Sequence, residues 1–122
     1  MTNPIEYAEL HSPDPKQAGG FYASLLGWTT DAIETPGGTY TRIGTGAGIG
    51  AGLMQAPFKG APTAWTIYVT VPRLAEAVTR ATSLGARVEV PASTVPDVGT
   101  FALLRDPTGA VFGLFEKLAA AR

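Results

Sequence analysis

The sequence predicts an α+β fold in which a strand, a helix and three strands follow one another twice. Each predicted helix starts near a proline and ends at Leu-Gly, and "LLGW" at 25–28 corresponds to "SLGA" at 83–86, about 58 residues later. Short strand patterns separated by glycine and proline turns follow each helix. A helix would cover one face of each sheet, so the two βαβββ modules should pack together and enclose a groove.

The first half contains the clearer helix signals. A strand pattern, "IEYAEL" at 5–10, precedes Asp14, a good N-cap residue, and Pro15, which suits the first helical position. Gln17 lies where it can complete a capping box, and Gly27 is a typical residue just after a helix end. Three more strands are predicted at 28–34, 39–44 and 49–55.

The second half repeats this order after a segment rich in proline and glycine. A strand is predicted at 64–71 and a helix at 72–85. The three strands that follow are predicted at 86–90, 100–106 and 110–116. We therefore expect one domain, 1–122, made of a first module at 1–56, a linker at 57–62, a second module at 63–117 and a C-terminal tail at 118–122.

Charge and composition exclude several classes of function. The net charge is −1, and the nine basic and ten acidic residues are scattered, so the sequence has no basic patch for nucleic acid or for an anionic membrane. There is no cysteine, which excludes disulfides and thiolate chemistry. No signal-peptide pattern and no apolar run near 20 residues is present. We expect a cytoplasmic protein with no nucleic-acid or membrane partner.

Three segments together resemble the vicinal oxygen chelate superfamily, which includes glyoxalases, bleomycin-resistance proteins and extradiol dioxygenases. They are "SPDPKQAGGFYASLLGW", "AWTIYVTVPRLAEAVTRATSLGARV" and "LRDPTGAVFGLFE". With the repeated module, the resemblance covers nearly the whole chain. It implies the glyoxalase/bleomycin-resistance/dioxygenase fold of two βαβββ modules around a cavity, often paired across a homodimer, and a homodimer is our expectation.

The resemblance also locates the positions where metal-using members carry their ligands. Those positions are occupied here by Tyr7, Thr66 and Gly113, and the fourth strand, "IGAGLM", offers no side-chain ligand. A transition-metal site of this kind needs three or four converging His, Glu or Asp ligands. We therefore expect no metal and no other cofactor, which argues against metal-dependent glyoxalase or dioxygenase chemistry. A metal-dependent enzyme with atypical ligands stays an alternative.

The only histidine lies two residues after a glutamate in the first strand. Residues two apart in a strand point to the same side, so Glu9 and His11 should face one cavity with Tyr7 beside them. The pair is the candidate catalytic site, since an imidazole beside a carboxylate can act as a general acid. For His11 we favour a structural role at the mouth of the strand, bonded to backbone or water. A buried Glu9 needs a partner, and Arg42 is one candidate.

Aromatic side chains are predicted to line the cavity. Strand alternation places Tyr68 on the same face as Thr66, and the predicted ligand-binding residues are Tyr7, Tyr40, Arg42, Met54, Thr66, Tyr68 and Phe115. Such a pocket suits a small aromatic or amphipathic ligand. Small residues at 50–52 and Gly113 predict free space, whereas Phe21, Tyr22 and Trp28 are expected in the core under the first helix. The alternative is that the aromatic residues fill the cavity.

Three hypotheses of function follow. The first is a metal-independent small-molecule-binding protein with the architecture of bleomycin-resistance proteins. The second is a lyase- or isomerase-like enzyme that uses Glu9, with or without His11, for proton transfer. The third is an interaction module whose cavity has closed. Fold resemblance does not choose among them, because one scaffold carries many chemistries.

Overall fold

A computed structural model describes residues 2–118, and it confirms the α+β class and the repeated βαβββ order. The elements are β1 Ile5–His11, α1 Pro15–Leu26, β2 Thr29–Thr35, β3 Gly38–Gly44, β4 Gly50–Met54, β5 Ala64–Thr70, α2 Leu74–Ser83, β6 Arg87–Val95, β7 Gly99–Arg105 and β8 Val111–Lys117. Apart from residue 118, the predicted tail lies outside the described residues. Neither described helix has the length and apolar character that crossing a bilayer requires.

The chain divides into two compact units. The first unit is Tyr7–Thr66, and the second unit is Met1–Glu6 with Ile67–Arg122. The divisions fall within β1 and within β5, because each of these strands contributes residues to both units. The single domain with the module and linker boundaries given above stays a prediction.

The first unit contains strands in the order β2-β3-β4-β1. β1 pairs in parallel with β4, and β3 is antiparallel to both β2 and β4. In this register, Gly52 of β4 lies between Glu9 of β1 and Arg42 of β3. A position on β4 can therefore connect side chains of two strands that are not themselves neighbours.

Helix α1 begins and ends as the sequence predicts. The Asp14 side chain accepts a hydrogen bond from the Gln17 backbone N–H at 3.1 Å, which satisfies one of the free N–H groups of the first turn. Gly27 follows the last turn in the left-handed conformation, with a φ of 71°. Ala18 and Tyr22 on the inner face pack on a buried cluster made of Leu10, Ile43, Ala51 and Leu53.

The expectation that Phe21 lies in this core is wrong. Phe21 is 57% exposed, whereas Tyr22 and Trp28 pack against the buried cluster. Consecutive helical residues differ by about 100° around the axis. With Ala18 and Tyr22 on the inner face, Phe21 is rotated towards the outside.

The second unit contains strands in the order β5-β8-β7-β6 and an apolar core. Helix α2 begins at Leu74, later than the predicted start at Pro72, and its N-cap residue makes no side-chain cap. Instead, Glu116 of β8 accepts a hydrogen bond from the Leu74 N–H at 2.7 Å. The buried cluster consists of Val71, Leu74, Ala102, Leu104 and Leu114.

Strand β6 is longer than predicted. It continues from Arg87 to Val95, whereas the sequence indicates an end at 90 because a proline follows. Proline is tolerated in the outermost strand of a sheet, where one side of the backbone needs no partner. Register shifts between Val88 and Val90, and between Val90 and Ser93, accommodate the irregular pairing with β7.

Candidate functional site

A buried carboxylate forms the centre of a polar cluster in the first unit. Glu9 is 6% exposed, and its Oε1 atom lies 2.7 Å from the Nε2 atom of His11. Its second oxygen, Oε2, accepts a hydrogen bond of 2.8 Å from the hydroxyl of Tyr40. Strand β1 brings Glu9 and His11 to one side, as their spacing predicts. Both oxygens of the carboxylate therefore have a hydrogen-bond partner, as a buried charge requires.

The cluster continues at both ends. The Tyr40 hydroxyl is also hydrogen-bonded to the Tyr7 hydroxyl, and the Nδ1 atom of His11 lies 3.3 Å from Thr66 Oγ1. The five side chains thus form one connected series, Tyr7, Tyr40, Glu9, His11 and Thr66, which we call the Glu9 network. Its members come from β1, β3 and β5, and all five belong to the first unit.

The hydrogen-bond directions in the Glu9 network follow from its chemistry. Tyr40 has one hydroxyl hydrogen, which it donates to Glu9, so Tyr7 must donate to Tyr40. An ionised Glu9 can only accept, so the His11 Nε2 atom carries a hydrogen. In neutral His11 the Nδ1 atom would then accept from the Thr66 hydroxyl. The hydrogens of the network therefore point towards Glu9 from both ends.

Burial keeps the two tyrosines in their neutral, donating form. The pKa of the Tyr40 phenol is raised far above its usual value, mainly because the side chain is buried and secondly because Glu9 carries a negative charge. Burial also raises the pKa of Tyr7, and the charge of Glu9 acts in the same direction. Both hydroxyls are consequently protonated at neutral pH.

The structure differs from the surroundings predicted for His11, which were backbone or water at the mouth of the strand. His11 is 1% exposed, and its ring nitrogens face the Glu9 carboxylate and the Thr66 hydroxyl instead of backbone or water. The reason is that β1 does not end before His11. It remains paired with β4 through His11 opposite Met54, and the Ser12 N–H still bonds to the Met54 carbonyl at 3.0 Å.

Arg42 is not placed as the partner that the sequence suggests for Glu9. Its guanidinium donates to Asp31 Oδ2 at 2.8 Å, and its side chain is 63% exposed. Asp31 lies directly opposite Arg42 in the pairing of β2 with β3, where cross-strand neighbours of opposite charge can pair. Tyr40 and His11 bind the Glu9 oxygens instead.

The space predicted at the small residues is occupied where their surroundings are described. A Cβ atom built on Gly52 would overlap the hydroxyls of both Tyr7 and Tyr40 and would lie 2.6 Å from Tyr40 Cζ. A Cβ atom built on Gly113, in the second unit, would overlap the ring of Tyr68. The glycines therefore make room for tyrosine side chains and not for an empty cavity at these two points.

The remaining predicted ligand residues lie in two places. Met54 is half-buried at the end of β4, directly opposite His11 in the first unit. Tyr68 and Phe115 belong to the second unit, where the Tyr68 ring meets Phe101 edge-to-face and Phe115 packs against Gly99. The structure thus joins three predicted ligand residues, Tyr7, Tyr40 and Thr66, to the predicted catalytic pair. The sequence did not indicate that Tyr40 would be the partner of Glu9.

The residues of this site do not fit the metal centre of metal-using relatives. Within residues 2–118, no three His, Cys, Asp or Glu side chains are close enough to hold a metal ion. Glu9 and His11 bond to each other, and the other members of the network are neutral hydroxyls. Transition metals in proteins are held by imidazole, carboxylate and thiolate groups, of which this site offers two.

The repeated βαβββ order of helices and strands is that of the glyoxalase/bleomycin-resistance/dioxygenase superfamily. Residues 8–115 match the glyoxalase-like domain family, and the chain belongs to that family. A solved structure from Vibrio splendidus, described as a member of the superfamily, has a TM-score of 0.65 to this chain at 15% identity, covering 96% of this chain and 100% of that one. Its likeness shows the shared fold.

Two bacterial relatives have informative names. A Mycobacterium tuberculosis protein named "Putative glyoxylase CFP32" is 30% identical over 116 residues, which is 94% of this chain and 44% of that protein. The anthracycline biosynthesis protein DnrV of Streptomyces peucetius is 27% identical over 124 residues, covering 89% of this chain and 45% of DnrV. The chain thus spans about half the length of these relatives.

Proposed function

We propose that the chain binds a small aromatic or amphipathic molecule at the Glu9 network without a metal ion. The observation that carries this proposal is the burial of a carboxylate and an imidazole among tyrosine and threonine hydroxyls in one connected network. Burying so many polar groups opposes folding, and such local conflicts concentrate at functional sites. Tyr7 and Tyr40, which are half-buried, would offer aromatic surface together with fixed hydroxyls.

The relatives support this class of ligand. One of them takes part by name in anthracycline biosynthesis, and anthracyclines are flat aromatic molecules with hydroxyl and carbonyl groups. The donor set supports metal independence, because two ligand groups are too few for a transition-metal centre.

We also propose that the chain acts as a cytoplasmic homodimer. The sequence resemblance and the scattered charge described above support this proposal.

A second candidate is an enzyme of the lyase or isomerase type in which Glu9 removes a proton from a bound substrate. The pairing of Glu9 Oε1 with His11 Nε2 at 2.7 Å favours it, because a carboxylate fixed by an imidazole is a common general-base arrangement. The name of the mycobacterial relative is consistent with catalysis. The two candidates differ in whether the bound molecule loses a carbon-bound hydrogen.

The test of binding is a fluorescence titration of the anthracycline daunorubicin with the purified protein in the presence of EDTA. We expect saturable binding by the wild type and affinity at least about tenfold weaker in Glu9→Gln, since the amide cannot accept from both neighbours. Glu34→Gln is the matched control, because the exposed Glu34 carboxylate lies on the surface, where it accepts a hydrogen bond from Thr39 Oγ1. Added Zn²⁺ or Ni²⁺ should leave the wild-type affinity unchanged.

Three results would contradict the binding proposal: no saturable binding by the wild type, binding that disappears with EDTA, or wild-type affinity in Glu9→Gln. We expect Glu9→Gln to fold, and a large loss of thermal stability would instead assign Glu9 a structural role. For the enzyme candidate, NMR would follow deuterium uptake by the bound molecule in D2O. Uptake in the wild type and none in Glu9→Gln would favour catalysis over binding alone.

A further inference from the structure

We propose that Gly52 is the specificity-determining position of this site, because its lack of a side chain is what allows the hydroxyls of Tyr7 and Tyr40 to meet beside Glu9. The ligand in this inference is the one given by the proposed function. The effect of a side chain at position 52 on Tyr7 and Tyr40 can be tested without any ligand. Glycine at this position would then decide whether the site presents a polar hydrogen-bonded end to an aromatic ligand.

The strand register places Gly52 at the middle of the site. Glu9 of β1 and Arg42 of β3 are its direct partners on the two sides of β4. Residues directly opposite each other in neighbouring strands project to the same face of a sheet. A side chain at 52 would therefore project to the face from which Glu9 enters the network.

The backbone does not explain the glycine. Eight glycines in the described chain have positive φ angles, and Gly52 is not among them. Its conformation is therefore open to any residue, and a strand interior is weakened by glycine. What excludes a side chain is the surroundings, because a Cβ atom at 52 would overlap both tyrosine hydroxyls and approach Tyr40 Cζ to 2.6 Å.

The consequence of a methyl group at 52 is a broken network. The two phenol rings would have to separate, which removes the bond between Tyr7 and Tyr40 and draws the Tyr40 hydroxyl away from Glu9 Oε2. Glu9 would keep His11 but lose a donor at a buried oxygen. The backbone pairing of β4 with β1 and β3 involves no side chain, so the strand itself should remain.

The experiment is a double-mutant cycle between Gly52→Ala and Tyr40→Leu, read first by thermal unfolding at one protein concentration. We expect Gly52→Ala to lower the midpoint by about 5–15 °C in the wild-type background, as overpacking does in a domain of this size. In the Tyr40→Leu background, where the shorter side chain leaves room, the same change should cost less than half as much. Gly37→Ala is the control, since its Cβ atom would meet only Thr35 Oγ1, at 3.9 Å.

An equal loss in both backgrounds would overturn the inference, because the methyl group would then not be opposed by Tyr40. If Gly52→Ala alone does not fold, recovery of the folded protein in Gly52→Ala/Tyr40→Leu gives the same support, and failure of both variants overturns it. These outcomes do not depend on a ligand. In the daunorubicin titration, Gly52→Ala should bind at least about tenfold more weakly than Gly37→Ala. If the wild type does not bind daunorubicin, the proposed function is rejected. The double-mutant cycle still tests the structural role of Gly52 in that case.

Discussion

The two units repeat the same order of elements but bury different chemistry. Among residues 2–118, the buried polar and charged residues are Glu9, His11, Ser12 and Thr66, and all four belong to the first unit. The second unit instead buries Tyr68 together with leucine, valine and alanine residues, of which Ala102, Leu103 and Leu104 are fully enclosed. Hydrophobic burial is the main source of stability, whereas buried polar groups must be compensated one by one. The difference supports the proposal that the first unit carries the binding site, while the apolar second unit contributes mainly to stability.

Each βαβββ module has a glycine in its last strand whose missing side chain leaves room for tyrosine, but the tyrosine atoms that occupy this room differ. At Gly52 the neighbours are two hydroxyls that belong to the Glu9 network, whereas at Gly113 the neighbour is the ring of Tyr68. Tyr68 lies directly opposite Gly113 in the pairing of β5 with β8 and meets Phe101 edge-to-face. One glycine thus supports polar contacts and the other supports aromatic packing.

The largest expected effect comes from truncating the apolar interior. Leu104 is 0% exposed and packs in the buried cluster of the second unit, so Leu104→Ala should lower the free energy of unfolding by about 2–5 kcal/mol. Denaturant unfolding at a fixed protein concentration measures the loss. Folded Leu104→Ala should still bind daunorubicin with wild-type affinity.

A loss below about 1 kcal/mol would contradict the division of roles, since it would mean that the second unit is not tightly packed at its centre. Loss of daunorubicin binding in a folded Leu104→Ala variant would also contradict it, because binding would then depend on the second unit. Leu84, which is 65% exposed after α2, provides the control: Leu84→Ala should change stability by no more than about 0.5 kcal/mol.

A smaller effect is expected from the outer end of the polar network. Thr66→Val keeps the shape of the side chain and removes the hydroxyl that lies 3.3 Å from His11 Nδ1, which should cost about 1–2 kcal/mol for the unpaired buried nitrogen. Because the chain contains one histidine, ¹⁵N NMR of the imidazole reports this site alone. We expect the hydrogen to remain on Nε2 in both proteins and the Nδ1 shift to change in the variant.

The conservative variant Thr66→Ser should restore the Nδ1 shift, because it returns a hydroxyl to the same position. An Nδ1 shift that is identical in the wild type and in Thr66→Val would show that Thr66 does not bond to His11. A wild-type His11 with its hydrogen on Nδ1 would reverse the hydrogen-bond directions derived for the Glu9 network.

What the sequence could predict depended on how far apart the interacting residues lie. The helix order, the Asp14 cap and the Gly27 end were predictable because each signal lies within a few residues of the helix it serves. The shared side of Glu9 and His11 was predictable for the same reason. The Tyr40 partner of Glu9 is 31 positions away, and it depends on a glycine in a third strand that no local pattern reveals.

The burial of His11 shows the same limit. Its position three residues before a helix start favoured an exposed strand end, but pairing with β4 carries β1 through His11. Helix α2 gives a third case, because its first N–H is bound by Glu116, 42 positions later. These three cases concern contacts between segments that are distant in sequence, which is where local propensity loses its influence.

The smallest expected effect tests the distinction between a helix end specified by neighbouring residues and one specified by a distant residue. Asp14→Ala removes the exposed bond from the Gln17 N–H to Asp14 Oδ1, and it should lower the free energy of unfolding by about 1 kcal/mol. The cap is local, so a peptide of residues 12–28 should also lose helicity by circular dichroism when Asp14 is replaced.

Helix α2 provides the comparison. A peptide of residues 72–85 lacks Glu116, so its helix should remain uncapped at Leu74. In the whole protein, Glu116→Ala should lower the free energy of unfolding by about as much as Asp14→Ala does. Equal helicity in the two 12–28 peptides would show that Asp14 acts only within the folded chain, and the contrast between a locally specified α1 and a non-locally specified α2 would then be wrong.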